Sequence, residues 1–333
     1  MTTLKDVASH VGVSTATVSR VLNGTGSISD KTKAKVLRAI RELHYTPNEM
    51  ARSLTSRANS RIIGLIVPYI DHSFFSTLTA AIEESCYQAG YRMFLCTTSG
   101  HANREIELLG MLRASNAAGL LVCSRIDDDS LYINCGLPVV SIERNIGGVA
   151  SVSCDNYQGG ALAAQELFAC GCRHMLMLGN RTDAKQILPA ELRYSGFRAT
   201  ARQLGAQCTE VYLEHEDLFG DGLRECLPEL FETAHGIDGI FASSDLLAAS
   251  VQHLLTTEFR GKKLTGMPIV GFDGLLLSKF NELTTVAQPI KDIGTLSVDV
   301  LIRKINGQLT PERSVLPVTL IRRKSTAAAL KNK

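Results

Sequence analysis

Nothing in this chain marks it for export, for a membrane or for a metal cluster. The opening residues, MTTLKDVASHVGVS, lack a basic segment followed by an apolar run of signal-peptide length. No uncharged stretch approaches the roughly 18 residues that a bilayer-spanning helix needs, so a soluble, cytoplasmic protein is expected. The nine cysteines, an odd number at irregular spacing, contain no C-x-x-C unit. The nearest pair, Cys170 and Cys172, has the wrong spacing for a metal site, and all nine read as reduced core thiols. Also missing are the G-x-S-x-G, Walker A and H-E-x-x-H patterns and the dinucleotide fingerprint, and the eight histidines are scattered. Neither an enzyme nor a cofactor is expected. Asp127, Asp128 and Asp129 adjoin, but three consecutive acids cannot converge on one ion from a regular strand or helix, so they read as a solvated loop.

Excess charge is small, at +2 overall, with 20% charged and 45% hydrophobic residues. That balance excludes wholesale disorder and fibrous repeats, and 333 residues suffice for two or three domains with a sizeable core. The charge is unevenly spread. Residues 1–60 hold nine Lys/Arg against four Asp/Glu, whereas the remainder holds 26 against 29. A basic partner surface is therefore expected at the front.

That front reads as three short helices. Thr3 can cap a first helix, with Asp6 three residues on as in a capping box and Leu4, Val7, Ala8 and Val11 on one face; Gly12 ends it. Ser14 caps a second, from Thr15 to about Leu22, with Val18 and Leu22 inward. Ser29 caps a third, from Asp30 to about His44, striped by Val36, Leu37, Ile40 and Leu43. Pro47 stops it. The following NEMARSLTSRANS has too little apolar surface to dock a helix by itself and reads as a linker that folds conditionally.

From residue 61 the character changes. Short β-rich runs (IIGLIV, MFLC, AGLLVC, PVVSI, HMLMLG, GIFAS, PIVGF) alternate with amphipathic stretches of helical length. Such alternation predicts parallel sheets covered on both faces, and about 260 residues of it predict two sheet-based lobes with a cleft between them. Ligands of open α/β sheets bind at the carboxyl ends of the strands.

Two capped helices around the turn Gly12-Val13-Ser14, the second with small or polar outward residues, form a helix-turn-helix arrangement, whose second helix enters the DNA major groove. LKDVASHVGVSTATVSRVLNG followed by SDKTKAKVLRAIRELHYTPNEMARSL closely resembles the headpiece and hinge of the lac/gal repressor family, and the resemblance runs on to about residue 324. It implies an α/β fold class: an all-α helix-turn-helix headpiece (1–47), a hinge helix and linker (48–60), and a two-lobed, periplasmic-binding-protein-like core (61–327). Lobe 1 would comprise about 61–157 and 290–316, and lobe 2 about 158–289 and 317–327.

Physically, Arg20 can donate twice to guanine or phosphate, Thr15 and Thr17 can meet phosphate or a thymine methyl, and Ala16 offers only apolar contact. The resemblance makes Thr15 and Ala16 the specificity pair and adds Thr3, Leu4, Ser14, Ser19, Asn23, Asn48 and Ala51 to the DNA-facing set. It also implies that Leu54 wedges into a minor-groove step when two hinges pair on DNA, kinking the duplex, with Arg52 and Arg57 on phosphates.

For the core, the resemblance implies effector contacts from Phe74 and Phe75, Cys123, Glu143, Arg193, Asp217, Ser244, Asp245, Asp273 and Gln288. Phe74 and Phe75 could equally be helix-start core, and Asp245 could equally cap the helix that starts there. The chain departs from the family at Glu143-Arg144, where relatives carry Asp-Arg; at Ser244-Asp245, where they carry Asn-Asp; and at Asp217, near a stacking aromatic in many, with Phe219 two places on. The expected protein is a homodimeric, DNA-binding transcriptional repressor that reads a pseudo-palindromic, double-stranded operator, on the nucleoid when bound. A small sugar or sugar derivative would switch it, as inducer or corepressor. TAAALKNK carries no heptad pattern for a higher oligomer. A nucleobase or nucleoside effector on Phe74 is the alternative within this architecture. An exported solute-binding protein would share the core but lack the basic headpiece.

Overall fold

A computed structural model of the chain describes residues 2–23, 26–45, 60–126, 128–180, 190–213, 222–225, 227, 236–258 and 266–330. The chain divides into two compact units, Met1–Asn59 and Ser60–Lys333.

In the first unit, helices α1 (Leu4–Val11), α2 (Thr15–Asn23) and α3 (Asp30–Glu42) form because each start is capped by its own sequence. The Thr3 hydroxyl accepts the Asp6 N–H at 3.3 Å while the Asp6 carboxylate accepts the Thr3 N–H at 2.8 Å. The Thr3 hydroxyl also donates to the Asp6 carboxylate at 2.7 Å, and that bond, with the one from the Thr3 N–H, holds the Asp6 carboxyl below its usual range. Gly12, at φ 73°, ends α1 in a left-handed conformation that costs a glycine nothing. The hydroxyls of Ser14 and Ser29 accept the N–H of Thr17 and Thr32 at 3.1 and 3.3 Å. Val7, Ala8, Val18, Val21, Val36 and Ala39 are the buried core.

Leu22 packs inward as expected but only in part, and Leu37 needs correction. Val21 is buried and Leu22 only half-buried, because the wedge between three short helices takes the i+3 neighbour of Val18. Leu37 is 41% exposed, since the buried face of α3 runs through Val36, Ala39 and Ile40.

The second unit holds two six-stranded sheets. The first orders β11 (Arg313–Leu316), β5 (Ala150–Cys154), β4 (Val139–Ile142), β3 (Gly119–Val122), β1 (Ile62–Val67) and β2 (Arg92–Thr97), all parallel. The second orders β12 (Thr319–Ile321), β10 (Thr284–Ala287), β9 (Ile269–Asp273), β8 (Gly239–Ala242), β6 (His174–Asn180) and β7 (Gln207–Leu213). There only β12, against β10, is antiparallel. Helices α4 (Ser73–Gln88), α5 (Ala102–Ala114), α6 (Ser130–Ile133) and α11 (Ile290–Ile305) belong with the first sheet. With the second go α7 (Asn156–Ala169), α8 (Ala190–Gln203), α9 (Asp245–Thr257), α10 (Leu276–Phe280) and α12 (Lys324–Leu330). Fully buried runs such as Leu65-Ile66-Val67 and Met175-Leu176-Met177-Leu178 reflect sheets packed on both faces.

The chain passes between lobes three times: from β5 to α7, from β10 to α11, and from β11 to β12. Helix α7 begins at Asn156, two residues ahead of the expected lobe division. Seven of the eight described cysteines are buried, and all eight are free thiols. No described helix is long and apolar enough to cross a membrane. The aspartate run is not simply a solvated loop. Asp129 pairs with the buried Arg144 at 2.7 Å, and Asp128 accepts the Ser130 N–H at 3.0 Å; Asp127 lies outside the described residues.

Candidate functional site

Helix α2 presents Thr15 and Ala16 to solvent in its first turn and Arg20 in its last, with Ser14 exposed and Thr17 and Ser19 half-buried. A cap formed by Ser14 and Thr17, whose hydroxyls lie 2.9 Å apart, leaves Thr15 and Ala16 as the outermost pair on that turn. Thr3 is exposed, whereas Leu4 packs against the three-helix core. Asn23 closes α2; its side chain, and residues Asn48, Ala51, Arg52, Leu54 and Arg57, lie outside what the structure describes.

In the second unit, a cleft of about 780 Å³, including its solvent-open mouth, brings together Phe74, Phe75, Cys123, Glu143, Arg193, Ser244, Asp273 and Gln288. Most stand at carboxyl ends of strands, as open parallel sheets require. Pro68, His72, Ser124, Arg125, Ile142, Asn180, Ala190 and Ser243 complete the lining and were not picked out in the sequence. Asp245 is absent from the lining. It is wholly buried and accepts the Leu275 N–H at 2.7 Å, while the α9 cap is Ser244, whose hydroxyl accepts the Leu247 N–H at 3.2 Å. The expectation that Asp245 caps the helix or meets ligand is thus replaced by a brace between α9 and the loop after β9. Asp217 lies outside the described residues. Phe74 is only 6% exposed and packs in the core, leaving Phe75, edge-to-face with His72 at 5.8 Å, as the more accessible ring.

Arg193 is set by a close helix crossing. A Cβ on Gly160 of α7 would stand 1.9 Å from the Arg193 carbonyl, and one on Gly196 of α8 would stand 2.0 Å from the Tyr157 carbonyl. Only glycines allow this approach. It lays the Arg193 guanidinium over the Phe272 ring, 3.4 Å from its centroid, donating to Asn156 Oδ1 at 2.9 and 3.2 Å and to the Ser243 carbonyl. Asn156 donates in turn to Glu143 at 2.8 Å, and Glu143 also accepts the Cys154 N–H at 2.9 Å. Gln288 donates to Asp273 Oδ1 at 2.7 Å and accepts from the Cys154 thiol at 3.1 Å. The second Asp273 oxygen is buried and has no hydrogen-bond partner among the described residues. Glu143 and Asp273 also occupy backbone conformations uncommon for side-chain-bearing residues, φ 67° and 115°. Such strain gathers at ligand clamps.

Burial pushes the Glu143 carboxyl above its usual range. Burial does the same to Asp273, reinforced by Asp245 and opposed by Arg193 and Gln288. A carboxyl whose native pKa is raised binds its proton more tightly folded than unfolded, so stability falls as pH rises from the unfolded towards the native pKa. Asp273→Asn, which mimics the protonated group, is therefore expected to stabilise the core by on the order of 1–3 kcal/mol at about pH 8 and to lose that advantage towards about pH 4. Parallel thermal melts across pH check it; an advantage that grows on acidification would contradict the burial argument.

Two family descriptions match. "Bacterial regulatory proteins, lacI family" covers residues 3–48, and "Periplasmic binding proteins and sugar binding domain of LacI family" covers residues 60–328. The chain is 35% identical over 328 residues to the sucrose operon repressor of Streptococcus mutans, covering 96% of this chain and 97% of that one. It is also 35% identical over 331 residues to the ribose operon repressor of Halalkalibacterium halodurans, covering 98% and 97%. A crystal structure of a periplasmic binding protein/LacI transcriptional regulator from Alkaliphilus metalliredigens, complexed with D-xylulofuranose, superposes with a TM-score of 0.71 at 32% identity, over 80% of this chain and 99% of that one. With helix-turn-helix unit and two-lobed core matched along nearly their whole length, the chain belongs to the LacI family of bacterial regulatory proteins.

Proposed function

We propose that the chain is a homodimeric, sequence-specific transcriptional repressor, acting in the cytoplasm on the nucleoid, whose grip on a pseudo-palindromic operator is switched by a small sugar or sugar derivative. The observation that carries this is the cleft itself: Glu143 and Ser124 from the first lobe face Arg193 and Asp273 from the second. Acceptors and donors arranged around a small volume suit a polyhydroxylated ligand, and a ligand touching both lobes favours one lobe arrangement over another. Two relatives that align end to end and are named for sucrose and ribose operons support the sugar class.

On the DNA side, Thr15, Ala16 and Arg20 read base edges from α2, while Thr3, Ser14, Thr17, Ser19 and Asn23 hold the backbone and Leu4 anchors α1 beside it. Residues 48–60 serve as the paired hinge, with Leu54 as wedge and Asn48, Ala51, Arg52 and Arg57 alongside it. Selecting sites for the full chain from a random duplex library tests this reading. The expected product is a symmetric motif whose affinity shifts at least about tenfold with one sugar of a panel; a pool with no enrichment would refute it. On that motif Arg20→Ala is expected to cost about 1–3 kcal/mol while sparing random DNA. An equal loss on both would assign Arg20 to phosphate.

A further inference from the structure

Arg125 is a cleft residue that the network above does not employ. It follows β3 on the first lobe and lines the cavity. Its guanidinium carbon lies 5.1 Å from the centroid of the Tyr69 ring. Its guanidinium makes no hydrogen bond or ion pair with any described residue, although its backbone N–H donates to Glu105. Arg193 offers a contrast, since Asn156, the Ser243 carbonyl and the Phe272 face occupy its guanidinium. Three described acids nearby are committed elsewhere. Asp129, four residues along the same loop, pairs with Arg144 at 2.7 Å. Glu105 accepts from the Tyr132 hydroxyl, and Glu143 from Cys154 and Asn156. Burial disfavours the charged form of Arg125, lowering its pKa. Arg125 is half-buried, so its guanidinium is partly withdrawn from water and gains from an acceptor in the cleft, and its planar fork fits the two oxygens of a carboxylate or phosphate.

We infer that the effector is anionic, a sugar acid or sugar phosphate whose oxyanion is held by Arg125 above Tyr69 while its hydroxyls meet Asp273, Gln288 and Glu143. This rests on the sugar-switched reading above and narrows it, since Arg125 on lobe 1 and Asp273 on lobe 2 then grip opposite ends of one ligand.

The test uses the full chain, calorimetric titration and two matched sets: glucose, gluconate and glucose 6-phosphate; ribose, ribonate and ribose 5-phosphate. Each set keeps the sugar carbon number and changes the charged group. The expected result is that an acid or a phosphate binds at least about tenfold tighter than its neutral sugar, the better of the two identifying the oxyanion. Arg125→Met should weaken that ligand roughly 30-fold or more, as truncating one side of a desolvated charge pair does, with Arg125→Lys recovering part of the loss. Operator binding and a melting temperature no lower than the parent's would confirm that both variants fold. If a neutral sugar binds best and Arg125→Met leaves it within about twofold, this inference falls and the sugar reading stands. If no member of either set binds a chain that still holds its operator, both fall.

Discussion

Gly160→Ala is expected to destabilise the core by about 2–3 kcal/mol, even after the roughly 1 kcal/mol that alanine gains over glycine inside a helix. The added methyl would sit 1.9 Å from the Arg193 carbonyl and 2.7 Å from the Phe197 nitrogen. Backbone cannot swing aside as a side chain can, so α7 and α8 must separate. For a unit of this size the loss corresponds to a fall of roughly 3–5 °C in melting temperature. Gly110 of α5 is the internal control, because a Cβ there meets nothing within 4 Å. Gly110→Ala is expected to be neutral or to stabilise by up to about 1 kcal/mol. Scanning calorimetry of both variants decides the matter; a Gly160→Ala protein melting with the parent would mean that the crossing has room to spare.

Arg193→Leu is expected to cost about 3–5 kcal/mol, the usual consequence of removing one member of a buried charged network. Leucine can cover Phe272 but leaves Asn156 Oδ1 and the Ser243 carbonyl without their donor. It also removes the positive charge that opposes the upward pull of burial on the Glu143 and Asp273 carboxyls. Both would then rise further, so the gap between parent and variant should widen as pH increases. Arg193→Lys should not rescue it, since one ammonium cannot lie flat on a ring while donating to two separated acceptors. Adding Asp273→Asn should recover part of the loss, a non-additivity expected of residues in one network. Denaturant titrations at two pH values check both statements; a pH-independent gap would show that Arg193 acts through packing alone.

The headpiece was almost wholly legible because its signals are local. Thr3, Ser14 and Ser29 cap helices within three residues of themselves, and Gly12 ends one by its own backbone freedom. Leu37 misled because which turn of a short helix faces its neighbours is decided by the neighbours. In the core, seven strands were visible as continuous apolar runs. The five others were not. Strand β7, QCTEVYL, is half-buried along most of its length, β11 and β12 alternate between exposed and half-buried, and β10 buries threonines that look polar on paper. Polar composition hid them, not weak pairing. Among the residues that line the cleft, Arg193, Asp273, Glu143 and Gln288 were expected through the resemblance, whereas Arg125, Ser124, Asn180 and Ser243 share only a position at strand carboxyl ends. Asp245 shows the converse. An acid beside a helix start looks like a ligand contact, and only the folded position of Leu275 reveals the brace.

The crossovers hold something beyond connectivity. Asn156, at the head of a second-lobe helix, donates to Glu143 of the first lobe, and Gln288 joins Cys154 of the first lobe to Asp273 of the second. The protein's own side chains therefore stitch the lobes together, and they bias the chain towards the lobe arrangement in which these bonds form. An effector competes with or reinforces those same bonds, and it can move the equilibrium only by its difference in affinity between the two arrangements. Carrying the population from 1:99 to 99:1 takes about 10⁴-fold in that difference. Substitutions at Asn156 or Gln288 would thus retune the resting population, and with it the basal level of repression, without touching the DNA-reading helix.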